Sequence, residues 1–191
     1  MNDATWLAVG LGNPGRRYER TRHNAGARAI GRLAESLSCP LRRGRGRALL
    51  AETRVNGFRL LLARPTGYMN DSGPAVASLL AWFKLSVENL IIVHDDIDLR
   101  SETLRLKRGG GTAGNHGLDS MVEALRTPDF YRVRIGVGRP EGGGDPASWV
   151  LKPMASEEAD ALAVAEGEAA EAVLAIIREG LERAMNRFNT R

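Results

Sequence analysis

Two short polar segments contain the residue types of general acid–base chemistry. Residues 21–24 read Thr-Arg-His-Asn, and residues 94–98 read His-Asp-Asp-Ile-Asp directly after the apolar run at 90–93. A carboxylate can hold a histidine in one tautomer and stabilise the imidazolium that forms when the histidine takes a proton. The sequence therefore predicts that one of these carboxylates supports a histidine that acts as a general base.

The same carboxylates could instead bind a divalent metal ion. The three histidines, His23, His94 and His116, show none of the short ligand spacings of zinc sites. A magnesium site usually holds a substrate phosphate at its reacting centre. We therefore expect no metal ion and no other cofactor.

A glycine-rich segment at residues 10–15, Gly-Leu-Gly-Asn-Pro-Gly, has the spacing of a dinucleotide-binding fingerprint and follows a predicted strand. Pro14 has no amide hydrogen to offer a pyrophosphate, and residues 16–22 delay the helix that should begin at the turn. These departures argue against a nucleotide-dependent oxidoreductase. What remains is Asn13 on a tight turn at the carboxyl end of a strand, where its amide can orient a substrate.

Two further loops contain candidate residues. The loop at 66–72 places Asn70 near a helix start, which we expect Ser72 to cap. The glycine-rich loop at 109–117 lacks the Gly-Lys-Ser/Thr ending of a P-loop. Such a loop is typical of a segment that is mobile or that another group approaches closely.

His23 lies just before a predicted helix, whose positive end should disfavour the imidazolium and keep the base neutral.

The elements that must position these residues alternate between strands and helices. Such alternation is typical of an α/β sheet. Asn56-Gly57 between two apolar runs is a strong hairpin signal. The predicted strands cover residues 6–11, 48–55, 58–63, 90–93, 103–106 and 131–137. The predicted helices cover residues 24–37, 74–83, 118–125 and 156–188, and residues 142–144 are expected to form a flexible loop.

Composition limits the class of protein. The 191 residues suit one domain, and no apolar run approaches the roughly 18 residues of a membrane span. A lone cysteine, Cys39, forms no internal disulfide, which favours a reducing cytoplasm. The net charge of +4 is modest, but basic residues cluster at 16–22, at 42–47 and at 107–108. Such clusters suit a polyanionic partner, although they are also common on ordinary solvated surfaces.

Taken together and in this order, the motifs resemble the signature of bacterial peptidyl-tRNA hydrolases. The matching residues run from the glycine segment, Tyr18 and the Thr-Arg-His-Asn segment to Met69-Asn70, the His-Asp-Asp segment, the loop at 107–118 and residues 132–138. The resemblance implies one domain over residues 1–191, with a twisted mixed β-sheet surrounded by helices. It also implies a metal-independent monomer in the cytoplasm that hydrolyses peptidyl-tRNA and so recycles tRNA from prematurely released peptidyl-tRNA.

The resemblance also implies roles for individual residues. His23 corresponds to the general base and Asp95 to the carboxylate that orients it. Residues on the substrate side are Asn13, Tyr18, Met69 and Asn70, with Met69 shaping the pocket for the peptide. Lys107 and Arg134 correspond to basic residues that look like a clamp on a tRNA phosphate.

One departure concerns the glycine loop, which in the family usually reads Gly-His-Asn-Gly. Here residues 114–117 read Gly-Asn-His-Gly, so Asn115 and His116 are exchanged. Either residue can bind substrate, because an imidazole N–H can donate like an amide. We favour His116 slightly, since the glycine spacing matches without insertion. The alternative function is an RNA-binding relative without activity, similar to a chloroplast intron-splicing factor, but the presence of His23, Asp95, Asn13 and Asn70 favours an enzyme.

Overall fold

A seven-stranded mixed sheet with the order β2-β3-β4-β1-β5-β7-β6 forms the centre of the computed structural model, which describes residues 4–140 and 142–189. Strands β4, β1, β5 and β7 run parallel to one another, while β2, β3 and β6 pair antiparallel with their neighbours. The strands are β1 (Thr5–Gly10), β2 (Arg42–Arg43), β3 (Ala48–Val55), β4 (Phe58–Pro65), β5 (Leu90–Asp96), β6 (Leu104–Arg108) and β7 (Tyr131–Gly136).

Helices cover both faces of this sheet. They are α1 (Arg16–Glu19), α2 (Ala25–Ser36), α3 (Ser72–Phe83), α4 (His116–Leu125), α5 (Pro146–Leu151), α6 (Ser156–Glu179) and α7 (Leu181–Phe188). One apolar core joins the sheet to α2, α6 and α7, and a second core joins the opposite face to α3 and α4. No helix in the described part of the chain is both long and apolar enough to cross a membrane.

The predicted fold class, one α/β domain with a mixed sheet surrounded by helices, is confirmed. All six predicted strands are present, with ends shifted by a few residues. The Asn56-Gly57 hairpin is also confirmed: both residues have positive φ, 50° and 85°, and β3 pairs with β4 along its full length.

Several local expectations were wrong. The segment at 156–188 is two helices, because Gly180 adopts φ 82° and breaks the run between α6 and α7. Ser72 is the first residue of α3 and does not cap it, since a 3-10 turn, Met69–Asp71, precedes the helix. Helix α1 lies between the predicted strand 6–11 and the predicted helix 24–37, where no helix was predicted. Helix α5, which Asp145 caps, had no counterpart among the predicted elements.

Close packing of α2 against the sheet depends on two glycines. A Cβ on Gly10 would lie 2.2 Å from the carbonyl oxygen of Gly26, and a Cβ on Gly26 would lie 2.1 Å from that of Val93. No side chain larger than hydrogen fits at either position. The first turn of α2 therefore rests directly on β1 and β5, and the residues just before α2 lie at the carboxyl ends of those strands.

Candidate active site

His23 and Asp95 meet at the carboxyl end of β5. His23 lies in the 3-10 turn Arg22–Asn24 that leads into α2, and Asp95 is near the end of β5. The Nδ1 atom of His23 lies 2.9 and 3.0 Å from the two carboxylate oxygens of Asp95, and both side chains are buried. An ionised carboxylate only accepts hydrogen bonds, so Nδ1 carries the proton and Nε2 keeps its lone pair.

The electrostatics of this pair differ from the expectation for a helix N-terminus. Burial opposes the imidazolium of His23, but the charge of Asp95 and its hydrogen bond outweigh burial and raise the pKa of His23 above 6.5. Burial likewise opposes the Asp95 carboxylate, yet the charge and hydrogen bond of His23 lower the pKa of Asp95. The Asp95 carboxylate therefore raises the pKa of His23, where the helix terminus was expected to lower it.

Asn115 is the member of the exchanged loop pair that contacts this site. Its Oδ1 accepts hydrogen bonds from the N–H groups of Gly117 and Leu118 and so caps α4. Its Nδ2 lies 3.2 Å from the Asp95 carboxylate and 3.4 Å from the Asp95 carbonyl oxygen. His116 has a side chain that is 75% exposed, and its Nδ1 lies 3.6 Å from the carboxylate of Asp119. The preference for His116 thus has no support in these contacts, although His116 does line the cleft described below.

Hydrogen bonds join Asn13 to Asn24, next to His23, and to Met69. Its N–H donates to Asn24 Oδ1 at 2.8 Å, and the Asn24 Nδ2 group donates back to the Asn13 carbonyl at 2.9 Å. The Asn13 side-chain Oδ1 accepts from the Met69 N–H at 2.8 Å. Met69 is buried, and a Cβ on Gly117 would lie 2.5 Å from its sulfur. These contacts connect Asn13, through Met69, to the start of α4 beside Asn115.

Tyr18 and Asn70 are the other two residues that were predicted to lie on the substrate side. The ring of Tyr18 packs edge-on against Tyr68, with the centroids 6.5 Å apart, and Tyr68 is 56% exposed. Asn70 is exposed in the 3-10 turn beside Met69. The structure thus places Tyr18 in α1 and Asn70 in the 3-10 turn Met69–Asp71. Neither side chain has a direct contact to His23 or Asp95 among the hydrogen bonds of the described residues.

A cleft of about 410 Å³ opens beside the histidine–carboxylate pair. Its polar lining includes His23, Asp95 and the loop from Thr112 to His116. Its apolar lining comes from Ala147, Val150 and Leu151 of α5 and from Ile97, and the charged residues Arg139 and Asp145 also line it. The cleft therefore joins a polar reacting end to an apolar wall.

The three carboxylates that follow the apolar core of β5 each have a different basic partner. Asp95 binds His23, Asp96 binds the Nε of Arg134 at 2.8 Å, and Asp98 binds Arg139 at 2.6 Å. Since successive residues of a strand face opposite sides, Asp95 and Asp96 serve different faces of the sheet. Within residues 4–140 and 142–189, no three carboxylate, thiol or imidazole side chains are grouped to hold a metal ion.

Lys107 and Arg134 lie on β6 and β7, on the face opposite α6. Burial, and then the charges of Arg134 and Arg132, lower the pKa of Lys107. Such mutual repulsion indicates a concentration of positive charge that an anion would relieve.

Sequence reasoning missed four polar residues that the structure builds into the site. Arg22 and Asn24 flank His23 and bind other elements through their side chains. Arg132 is 1% exposed and donates to the carbonyl oxygens of Gly111 and Gly110, which holds the glycine loop. His94 is buried, its Nδ1 donates to the Asp95 carbonyl, and burial lowers its pKa to about 4. For Arg132 and His94 the available signal was a basic residue inside an apolar strand. For Arg22 and Asn24 it was their position on either side of His23.

Comparison with known proteins identifies the family. The family model for peptidyl-tRNA hydrolase matches residues 7–191. The chain belongs to the peptidyl-tRNA hydrolase family. It is 46% identical over 187 residues to the peptidyl-tRNA hydrolase of Frankia casuarinae, which covers 98% of this chain and 95% of that protein. It is also 45% identical over 190 residues to the enzyme of Rhodococcus erythropolis, covering 99% of this chain and 100% of the relative.

The solved structures agree with this membership. The peptidyl-tRNA hydrolase of Acinetobacter baumannii superimposes with a TM-score of 0.90 and 32% sequence identity, covering 100% of this chain and 96% of that chain. Peptidyl-tRNA hydrolase relatives therefore match both the sequence and the whole fold described here. The resemblance inferred from the motifs is confirmed.

Proposed function

We propose that this peptidyl-tRNA hydrolase uses His23 as a general base and Asp95 as its orienting carboxylate. The observation that carries the proposal is the pair of short contacts from His23 Nδ1 to Asp95, beside an open cleft. With Nδ1 protonated, Nε2 takes a proton from a water molecule as that water attacks the ester carbonyl. The imidazolium then returns the proton to the leaving ribose oxygen, so peptide acid and tRNA are released and the base is regenerated.

The developing negative charge on the carbonyl oxygen needs a donor. Asn13 is suited to this because its Oδ1 is occupied by the Met69 N–H, which leaves its Nδ2–H₂ group for the substrate. The substrate side extends to Tyr18 in α1 and to Met69 and Asn70 in the 3-10 turn. Asn115 already uses its amide to cap α4 and to reach Asp95, so we assign it to holding Asp95 in place.

The substrate has two chemically different parts, and the site offers a surface for each. The apolar wall of the cleft suits peptide side chains. Lys107 and Arg134 suit a phosphate of the tRNA, with Asp96 orienting the arginine. We further propose that the protein acts as a monomer in the cytoplasm, where translation supplies peptidyl-tRNA.

Incubation of the purified protein with an N-blocked aminoacyl-tRNA and with the same aminoacyl-tRNA unblocked tests the proposed activity. We expect release of the blocked amino acid and little release of the free one. Binding of both tRNAs without cleavage would instead support the alternative, an RNA-binding relative without activity.

For the phosphate clamp we predict that Lys107→Ala and Arg134→Ala mainly raise KM for tRNA substrates. The logarithm of the binding constant falls linearly with the logarithm of the salt concentration, and each lost phosphate contact should reduce the size of this slope by roughly one unit. A small ester without the tRNA body should be hydrolysed at the wild-type rate. Arg178→Ala, at an exposed position near the end of α6, is the control and should change neither quantity. Equal damage on both substrates would place these residues in the catalytic centre instead.

For the exchanged pair we predict that Asn115→Ala costs more activity than His116→Ala. The first change removes the cap of α4, which costs about 1 kcal/mol of stability, and also removes a hydrogen bond to Asp95. We expect a loss in kcat of about 10-fold from the latter effect. Steady-state rates on one blocked aminoacyl-tRNA, together with melting temperatures, separate the two effects. A greater loss with His116→Ala would restore His116 as the substrate residue.

A further inference from the structure

The guanidinium of Arg22 is buried beside His23 and is bound on several sides. Arg22 is only 4% exposed, and its Nε and Nη2 each donate to one oxygen of Glu158 at 2.6 Å. Nη1 donates to the carbonyl oxygens of Trp149 and Lys152 at 3.1 and 3.5 Å. The guanidinium also stacks on the ring of Trp149, 3.4 Å from its centroid. Only arginine has the planar fork that makes all these contacts together.

These contacts join the turn that contains His23 to a separate part of the chain. Trp149 lies in α5, Lys152 follows α5, and Glu158 lies in the first turn of α6. The backbone adds a hydrogen bond from Met154 N–H to the Arg20 carbonyl at 2.9 Å. The segment before His23 is therefore attached to α5 and α6.

The segment after His23 is attached elsewhere. Asn24 exchanges two hydrogen bonds with the backbone of Asn13 on the loop after β1. His23 thus lies between two anchored neighbours, each of which uses a buried polar side chain. A three-residue turn has few backbone torsions with which to compensate if one anchor is lost.

We propose that Arg22 is a positioning residue for His23, fixing the turn so that Nδ1 stays on Asp95 while Nε2 faces the cleft. The inference rests on the proposed role of His23 as the base. Arg22 touches neither Asp95 nor the cleft, so its effect on turnover passes through the position of the imidazole. Helices α5 and α6 therefore take part in catalysis without supplying a reacting group.

The first test is Arg22→Lys, which keeps the positive charge but loses the bidentate contact with Glu158 and the stacked plane. We expect kcat on a blocked aminoacyl-tRNA to fall about 10-fold or more, with a smaller change in KM. The acid limb of the pH–rate profile, which is the range where the rate increases with pH as His23 loses its proton, should also move to lower pH. This follows because a looser bond to Asp95 leaves burial, which lowers the pKa of His23, less opposed. A variant that only lost folded protein would show less activity with an unmoved acid limb.

A second variant and a matched control keep the test decisive even if Arg22→Lys folds poorly. Glu158→Gln should shift the acid limb in the same direction, with a smaller loss in kcat. Glu166→Gln removes a buried carboxylate that pairs α6 with Arg28 and Arg32 of α2, but leaves the contacts of Arg22 intact. We expect it to lower the melting temperature without moving the acid limb.

The outcomes separate this inference from the proposed function. If the wild-type protein cleaves its substrate in a His23-dependent way while Arg22→Lys and Glu158→Gln behave like Glu166→Gln, the positioning role is overturned. If activity does not depend on His23 at all, the assignment of the base fails first. A shifted acid limb in both variants and not in the control supports Arg22 as the positioning residue.

Discussion

We expect the His23→Ala variant to hydrolyse a blocked aminoacyl-tRNA with a kcat at least about 100-fold below that of the wild type. The reason is that His23 Nε2 takes its proton only in the transition state, and alanine leaves no group to take it. The KM should change little, because the substrate contacts assigned to Asn13, Tyr18 and the tRNA clamp remain. Single-turnover rates with excess enzyme provide the measurement, since they are insensitive to slow product release.

The control for this variant is binding of the uncleaved substrate. His23→Ala should bind blocked aminoacyl-tRNA with wild-type affinity. A melting curve checks that the variant is folded, because the change leaves the buried Asp95 carboxylate without its His23 partner and should lower the melting temperature. Turnover near the wild-type rate would mean that another group activates the water and that the histidine–carboxylate pair is structural.

Asp95→Asn is the second change with a large expected effect, a fall in kcat of about 10² to 10⁴. An asparagine amide can present its NH₂ group to Nδ1 and so favour the tautomer in which Nε2 carries the hydrogen. That tautomer has no lone pair at Nε2 to take a proton from water. Asn115 Nδ2, which now donates to the Asp95 carboxylate, would compete for the single remaining amide oxygen.

The pH dependence of Asp95→Asn provides a signature with a defined sign. In the wild type Asp95 raises the pKa of His23 above 6.5, so the rate should rise with pH through a pKa above that value. Without the carboxylate, burial is left to lower the pKa of His23. The residual activity should therefore still increase with pH, but over a lower pH range than in the wild type. Asp98→Asn, whose partner is the exposed Arg139, is the matched control and should leave the profile unchanged. A larger loss with Asp98→Asn would mean that the catalytic carboxylate has been misassigned.

Adjacent residues at the end of strand β5 contact the proposed base and the proposed tRNA phosphate ligand. Adjacent residues at its end face opposite sides of the sheet, so Asp95 orients the proposed base and Asp96 orients the proposed phosphate ligand Arg134. Two adjacent residues of one strand thus hold the proposed base and the proposed phosphate ligand in a fixed relation to each other.

Much of the fold could be predicted because its signals are local. The Asn56-Gly57 turn, the apolar run at the start of β5 and the spacing of apolar residues in α2 each depend on neighbours within a few residues. The break at Gly180 and the short helix α5 escaped prediction. The break was missed because a glycine within a helical pattern does not show from sequence alone whether its φ will be positive. Helix α5 was missed because its six residues are too few to show a helical spacing of apolar side chains.

The sequence by itself determined the family, because the types and order of its motif residues form a specific pattern. The same pattern is the source of the proposed roles of His23, Asp95, Asn13 and Asn70. It could not determine the use of residues whose partners are distant in the chain. Arg22 and Glu158 are 136 positions apart, and Asn115 and Asp95 are 20 apart, so only packing of the elements brings them together. Gly10 shows the same division. It belongs to the segment 10–15, whose spacing suggested a nucleotide fingerprint, whereas the tertiary structure uses it, together with Gly26, to seat α2 on β1 and β5. Folding alone thus places His23 against Asp95, because their separation in space depends on how closely α2 approaches the sheet.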